Sequence, residues 1–475
     1  MGSPLSIVFI VALLIPLWVL LRRDYIKGVA YAVFLCVSMS TYLRIPMPGS
    51  LPQLTIYRLV LIVVFIFWLR NRDTGRRFSN TPLLGAFAFW AIANFISVLF
   101  TTSYFVVSLK RYLDFVLEAA VFFFLVVNSL RRREDVFKVL WGACLGVTLV
   151  AGIAFIEKYT GYTPVSYIEP QNPDDSDLVG GYMRGDVVAT YQHRILLGTG
   201  MAMGFPLVFA LMLVAQKLLA RTRSLWFFLA LVLASCYFSN SRGPWLAALL
   251  AGGTLWFLGR VAIRKKLACI AVVAALVLIM RPGVLTSLVA SAQVTTESDS
   301  FKGGTFRYRL ELWRIAWSEI SKSPERLLFG CGPGCGSTST VDWNLSYRGG
   351  LEWQIWSWDN QLAYDLYQSG LLGLAASLTL YGGLLLAVYR LWRHSEPADK
   401  PLLACFLASL LAYAFMLTNV MMFAKPANFL FWTIAAAAFA IGLNPQPQEY
   451  EAVEEAAGVE VVNDALEPEL SKPSP

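Results

Sequence analysis

The residues best suited to chemistry are arginines in two short segments. Ser239-Asn-Ser-Arg-Gly-Pro-Trp245 sets Arg242 beside the start of a helix. Pro244 suits a first helical turn, and Gly243 lets the backbone bend. A guanidinium there is a planar, bidentate ligand for phosphate, and the helix N-terminus adds partial positive charge. The second segment is Arg307-Tyr-Arg-Leu-Glu-Leu-Trp-Arg-Ile-Ala-Trp317. Leu310, Trp313, Trp317 and Ile320 recur at helical spacing, with Arg307, Arg309, Glu311, Arg314 and Glu319 interspersed. That pattern predicts an amphipathic helix lying on a membrane or roofing a cavity. Asp359 and Asp365 follow as candidate carboxylates. Lys110, Asp114 and Glu118 stand at i, i+4 spacing, so Lys110 and Asp114 can pair on one helix face. With only two His in the chain, a zinc site built on histidine is disfavoured. His193 is a candidate base, since an imidazole titrates near neutral pH. The run Asp174, Asp175, Asp177 reads as a solvated loop ahead of a cation site. Cys331 and Cys335, in a Gly-rich turn, read as two free thiols ahead of a short disulfide.

These groups need a frame, and the composition says which. Of 475 residues, 57% are hydrophobic and 15% charged, against about 25% charged in soluble domains. Apolar runs of membrane-crossing length recur from end to end. A soluble enzyme, a disordered chain and a disulfide-stapled domain are excluded. The reading is an all-α polytopic membrane protein of twelve to thirteen transmembrane helices with a large external loop. Thirteen spans are drawn: Pro4–Leu21, Ile26–Leu43, Leu54–Leu69, Pro82–Phe100, Phe105–Val127, Val136–Glu157, Ile195–Ala215, Leu225–Phe238, Pro244–Leu258, Leu267–Met280, Gly370–Leu391, Leu402–Met422 and Phe429–Leu443. Loops on one side hold 21 Lys and Arg, and short loops on the other hold six. The positive-inside rule then makes the basic side cytoplasmic, with the N-terminus outside and the C-terminus inside. Residues 1–443 form the transmembrane domain. Its long external loops are 158–194 and 281–358. Residues 444–475, acidic and Pro-containing, are expected to be a disordered cytoplasmic tail. The net charge of +8 follows from loop topology and calls for no nucleic acid.

Four segments resemble the O-antigen ligase and O-antigen polymerase superfamily. Ser241-Arg-Gly-Pro-Trp245 resembles its S-R-G motif, and Arg309-Leu-Glu-Leu-Trp313 its R-x-x-x-W segment. Phe329-Gly-Cys-Gly-Pro-Gly334 resembles its G-x-G-x-G turn. Asp359-Asn-Gln-Leu-Ala-Tyr-Asp-Leu-Tyr-Gln-Ser-Gly-Leu-Leu-Gly373 resembles its H/D-N-x-x-L … G-L-x-G segment. The similarity runs from about Arg184 to Met422. The resemblance implies an inverting glycosyltransferase of the bacterial cytoplasmic (inner) membrane, acting on the outer face. Its donor would be a glycan on undecaprenyl diphosphate, and its acceptor a sugar hydroxyl on another glycan. Flippase and chain-length regulator proteins are the partners it suggests.

The resemblance assigns the diphosphate to Arg242 and activation of the acceptor to Asp359, and Arg309 joins them as a second guanidinium that can stabilise charge on the diphosphate. Arg307, Arg314, Arg184, His193, Asn360 and Asp365 become candidate substrate-binding residues. Ligases that attach O-antigen to lipid A-core typically carry His where this chain has Asp359, which tilts the reading toward a polysaccharide polymerase. A glycosyl–diphosphate bond is already activated. It therefore needs no nucleotide, only charge stabilisation on the leaving group and a base for the acceptor. The excess of arginine over nearby carboxylates implies no metal cofactor. A transporter of a lipid-linked anion is the competing class. Its binding site would lie near the bilayer midplane, whereas these arginines cluster in loops at one face.

Overall fold

The computed structural model describes residues 4–41, 43–45, 54–70, 81–100, 105–162, 187–215, 219–280, 286, 301–335, 345–346, 352–353, 358–422 and 426–443. Side chains of 4, 215, 219–222, 277–278, 301–307, 443 and the four strand residues 345–346 and 352–353 lie outside that description. Each of the thirteen predicted spans falls on a helix. In chain order they are α1 (Pro4–Arg23), α2 (Tyr25–Ser38), α3 (Ile56–Arg70), α4 (Leu84–Phe100), α5 (Phe105–Phe115) continuing through a π-helical turn into α6 (Phe122–Ser129), α7 (Arg133–Thr160), α8 (Arg194–Ala215), α9 (Leu219–Phe238), α10 (Arg242–Leu258), α11 (Val261–Met280), α14 (Gln361–His394), α15 (Lys400–Met416) and α16 (Pro426–Leu443). Two further helices, α12 (Phe301–Ile320) and α13 (Pro324–Phe329), occupy the predicted long loop. Strand structure among the described residues is two antiparallel pairs of two-residue strands.

The protein is an all-α polytopic membrane protein. Among the described residues, five helices are long and apolar enough to cross a bilayer by length and composition, and shorter apolar helices accompany them. The central helices are apolar all round, as helices buried on every side are. Along α8 every residue from Ile195 to Met212 is buried, and α15 and α16 contribute Phe406, Tyr413, Phe431 and Trp432 to the core. Around them, α1, α3, α10 and α11 expose Val8, Ile62, Leu249, Phe257 and Ile279. An apolar belt of that size suits lipid rather than water.

Three local features differ from the sequence expectation. The fifth span is interrupted at Val116–Val121 by the π-helical turn, with Glu118 buried in it. Asp114 pairs across helices with Arg58 of α3, in addition to the electrostatic effect of Lys110 on its own helix. The eleventh span begins nine residues early. Asn360 caps α14 by accepting the Ala363 N–H at 3.0 Å, and the helix breaks at Gly370 (φ 63°, ψ −161°). That divides α14 into a site-facing first section and a spanning second one. The acidic tail and Asp174, Asp175 and Asp177 lie outside the described residues.

Candidate active site

Three helix starts and one turn meet at a single end of the bundle. The first is α8, entered through a 3-10 turn at Ala189–Tyr191. Glu157, near the end of α7, holds that turn by accepting the N–H groups of Val188 and Ala189, the latter at 2.7 Å. Gln192 is tied to the end of α2: Thr41 Oγ1 donates to its Oε1 at 2.8 Å, and its amide donates to Ser40 Oγ. His193 and Arg194 follow directly. His193 Nδ1 accepts the Ile195 N–H at 3.3 Å, so the ring caps its own helix on that nitrogen.

The second start is α10, with Arg242 as its first residue. It lies against α8 because Gly198 has no side chain. A Cβ at Gly198 would stand 2.6 Å from Pro244 Cβ and 2.7 Å from Ser239 Oγ. On its other side α10 meets the turn after α15, where Gly243 faces Met416 and Asn419.

The third start is α14. Gln361 staples it to that turn: its N–H donates to Leu417 O at 2.8 Å, and its Oε1 accepts the Met422 N–H at 2.9 Å. Asp359 stands just before the cap. It is flanked by buried Trp358, which stacks on Tyr367 with ring centroids 4.7 Å apart.

The helix α12 closes the arrangement. Arg309 Nη2 lies 4.0 Å from Asp359 Oδ2, and Arg309 Nε donates to Asn419 O at 3.2 Å. Both side chains are mostly buried, at 19% and 24% exposure. Burial pulls the Arg309 guanidinium below its usual pKa, Asp359 pulls it back up, and Arg194 lowers it further. Arg242 interacts electrostatically with Arg309 and Arg194. Arg194, Arg242 and Arg309 thus share one site, with Asp359 facing the third. The arrangement can neutralise an anion of two or three charges, with a carboxylate on hand to accept a proton.

The packed face of α12 overlaps the stripe drawn from the sequence only at Trp313 and Ile320. Leu312, Ile315, Ala316 and Ile320 are buried, while Leu310 and Trp317 are about half exposed. The i, i+7 pair Leu310 and Trp317 forms a second apolar face that turns outward. Arg314 shares that exposed face and pairs with Glu311.

The structure therefore brings Arg242, Arg309 and Asp359 together. Asn360 serves as the helix cap beside them. Asp365 is buried one turn below, where Gln361 Nε2 donates to its Oδ1 at 2.7 Å. His193 sits next to Arg194. Arg184 and the side chain of Arg307 lie outside the described residues. The Gly-rich turn docks on α14: Gly330, Gly332 and Gly334 all have positive φ. Cys331 N–H donates to Tyr367 O and Gly332 N–H to Gln368 O. Cys331 and Cys335 are not joined by a disulfide, and their thiols hydrogen-bond each other. Sequence reasoning missed Arg194, Gln361 and the Asn419 turn. Arg194 carried a usable signal, since like Arg242 it opens an apolar span from the side opposite the basic loops.

Residues 227–378 match a family model described as O-antigen ligase. The matched segment, about a third of the chain, contains all four sequence motifs together with Arg242, Arg309 and Asp359. It supports placement in the O-antigen ligase/polymerase superfamily. No curated protein matches the chain.

Proposed function

We propose that this member of the O-antigen ligase/polymerase superfamily transfers glycan units from undecaprenyl diphosphate to a sugar hydroxyl, at the outer face of the bacterial inner membrane. A polymerase of surface or exopolysaccharide is the favoured form. The observation that carries the reading is the Arg309–Asp359 contact beside Arg242.

The acceptor hydroxyl gives its proton to Asp359 as its oxygen bonds the anomeric carbon. The bond from that carbon to the diphosphate oxygen breaks, and its electron pair leaves on the phosphate. One displacement inverts the anomeric centre. Asp359 and Arg309 are coupled in this step. While Asp359 is ionised it offsets the Arg309 charge. Once it takes the proton that offset ends, and Arg309 faces the charge developing on the leaving group. Stabilisation that appears only in the transition state raises rate rather than mere binding. Arg242 supplies a planar contact to the diphosphate.

Guanidinium groups perform the neutralisation that a divalent cation performs elsewhere, so the reaction proceeds without metal. The competing reading as a transporter of a lipid-linked anion is less well supported, because Arg242 stands at a helix start and Arg309 on the helix of the long loop, rather than midway along spans.

The test is purified full-length protein in lipid nanodiscs with a lipid-diphosphate-linked glycan, in excess EDTA. Longer glycan and released lipid diphosphate are expected. Donor crossing the bilayer without glycan growth would favour the transporter. Activity that returns only with Mg²⁺ would reject the arginine clamp.

A further inference from the structure

The two cysteines of the Gly-rich turn take no part in glycan transfer, yet their setting differs from that of the other five. Cys36, Cys144, Cys236 and Cys405 are buried within helices, and Cys269 is exposed on α11. Cys331 and Cys335 stand together outside the spans, with their thiols hydrogen-bonded to each other. The backbone holds them so. Gly332 and Gly334, between them, carry φ of 97° and 83°, a bend that glycine adopts without a steric cost. Cys335 N–H donates to Gly332 O at 3.1 Å and closes the turn. The turn is anchored on α14: Cys331 N–H donates to Tyr367 O, Gly332 N–H to Gln368 O, and Gly334 N–H to Gln368 Oε1. The fold has therefore already met the entropy cost of bringing the two sulfurs together.

The pair is also asymmetric. Cys331 is partly exposed, while Cys335 is buried in the cluster that holds Trp358 and Tyr367. The hydrogen bond from the Cys335 thiol holds Cys331 below the usual thiol pKa, with help from Arg326 and the Tyr367 hydroxyl and against burial and Glu319. The thiolate is the attacking form of cysteine. An accessible thiolate beside a second thiol is the arrangement in which one sulfur attacks and the other resolves. We propose that Cys331 and Cys335 are a modification site, a dithiol that a disulfide oxidant converts reversibly to an internal disulfide clasping the turn on α14. The Cys331 thiolate attacks one sulfur of the external disulfide and displaces a thiolate. The Cys335 thiolate then attacks the Cys331 sulfur of the mixed disulfide and displaces the second. Two cysteine thiols are oxidised, one external disulfide is reduced to two thiols, and the two protons pass to the leaving thiolates. The proposal rests on the reading above only for its setting, because the compartment outside the bacterial inner membrane is oxidising.

The test uses full-length protein in nanodiscs, reduced and then exposed to excess oxidised glutathione, with peptide mapping by mass spectrometry. The wild type should lose two hydrogens from the peptide holding both cysteines, and dithiothreitol should restore them without unfolding. Cys335→Ser should stop at a glutathione adduct on Cys331, and Cys331→Ser should stay largely unmodified at Cys335. The oxidised wild type should unfold at a higher temperature than the reduced form, since a cross-link restricts the unfolded chain, and neither variant should show that difference. A persistent dithiol, or glutathione on each cysteine in place of the internal bond, overturns the proposal and leaves the glycan-transfer reading standing. Equal unfolding of the two forms overturns the clasp. In right-side-out spheroplasts, after reduction, a membrane-impermeant thiol reagent should label Cys331. Labelling only after lysis overturns both the proposal and the outer-face reading.

Discussion

The two ends of the bundle use arginine in opposite ways. At one end, arginines finish on oxygens. Arg133 pairs with buried Asp399, Arg260 donates to Pro397 O, and Arg264 Nε donates to Trp256 O at 2.8 Å. These contacts close helix ends and join α7, α11 and the loop before α15. At the other end Arg194, Arg242 and Arg309, from three helices, act electrostatically on one another, and Arg309 also contacts Asn419 O and Asp359. Like charges in a partly buried setting repel more strongly than in water, so this arrangement works against the fold. Arg58 sharpens the contrast, because on the site side of α3 it too is satisfied by a carboxylate, Asp114. The lesson is that arginine set against a single oxygen at a helix end marks architecture. Arginine gathered with its own kind marks a place where an anion is expected.

If that contrast is sound, conservative changes at the two ends must fail differently. Arg242→Lys keeps the charge and loses bidentate geometry. Glycan transfer by the folded protein should fall by about a hundredfold or more, the scale seen when a preorganised donor is removed from an active site. Full activity in that variant would make Arg242 an anchor. Gly198→Ala places a methyl group 2.6 Å from Pro244 Cβ and must part α8 from α10. Transfer should drop about tenfold, since small misplacements of catalytic groups are expensive. Gly253→Ala, further along α10 where a Cβ meets nothing within 4 Å, should be neutral in the same assay.

At the architectural end, Arg133→Ala strands the buried Asp399 carboxylate. Loss of a partner from a buried charge should cost about 2 kcal/mol of stability, measured by unfolding in detergent. Activity per folded molecule should hold. A stable variant with lost transfer would reverse the roles of the two ends. The smallest effect is expected at His193→Ala, because the imidazole caps α8 through Nδ1. Activity should fall a fewfold at most, and a complete loss would move the base from Asp359 to His193.

Long apolar runs made the spans legible, and all thirteen lie on helices. Their ends were less so, because caps and turns set them. Asn360 starts α14 before the apolar run begins, and a turn ends α15 at Met416, six residues short of the predicted Met422. Helical spacing correctly marked 301–320 as amphipathic but could not choose between two apolar faces. Local charge spacing suggested Lys110 for Asp114, and tertiary packing adds Arg58 as a cross-helix partner. Arg242, Arg309 and Asp359 were legible from their motifs, although 117 positions separate the first from the last. Arg194 was not, since it lies in no motif, and only the approach of α8 to α10 at Gly198 shows what it joins.

The most direct measurement is made on Asp359→Asn, with donor binding and glycan transfer followed in the same preparation. The carboxylate is proposed to take the acceptor proton and, until then, to offset Arg309. Removing its charge should leave binding of the lipid-diphosphate glycan at wild-type strength or tighter, while transfer disappears. Transfer at the wild-type rate would contradict the account, as would donor binding lost together with it.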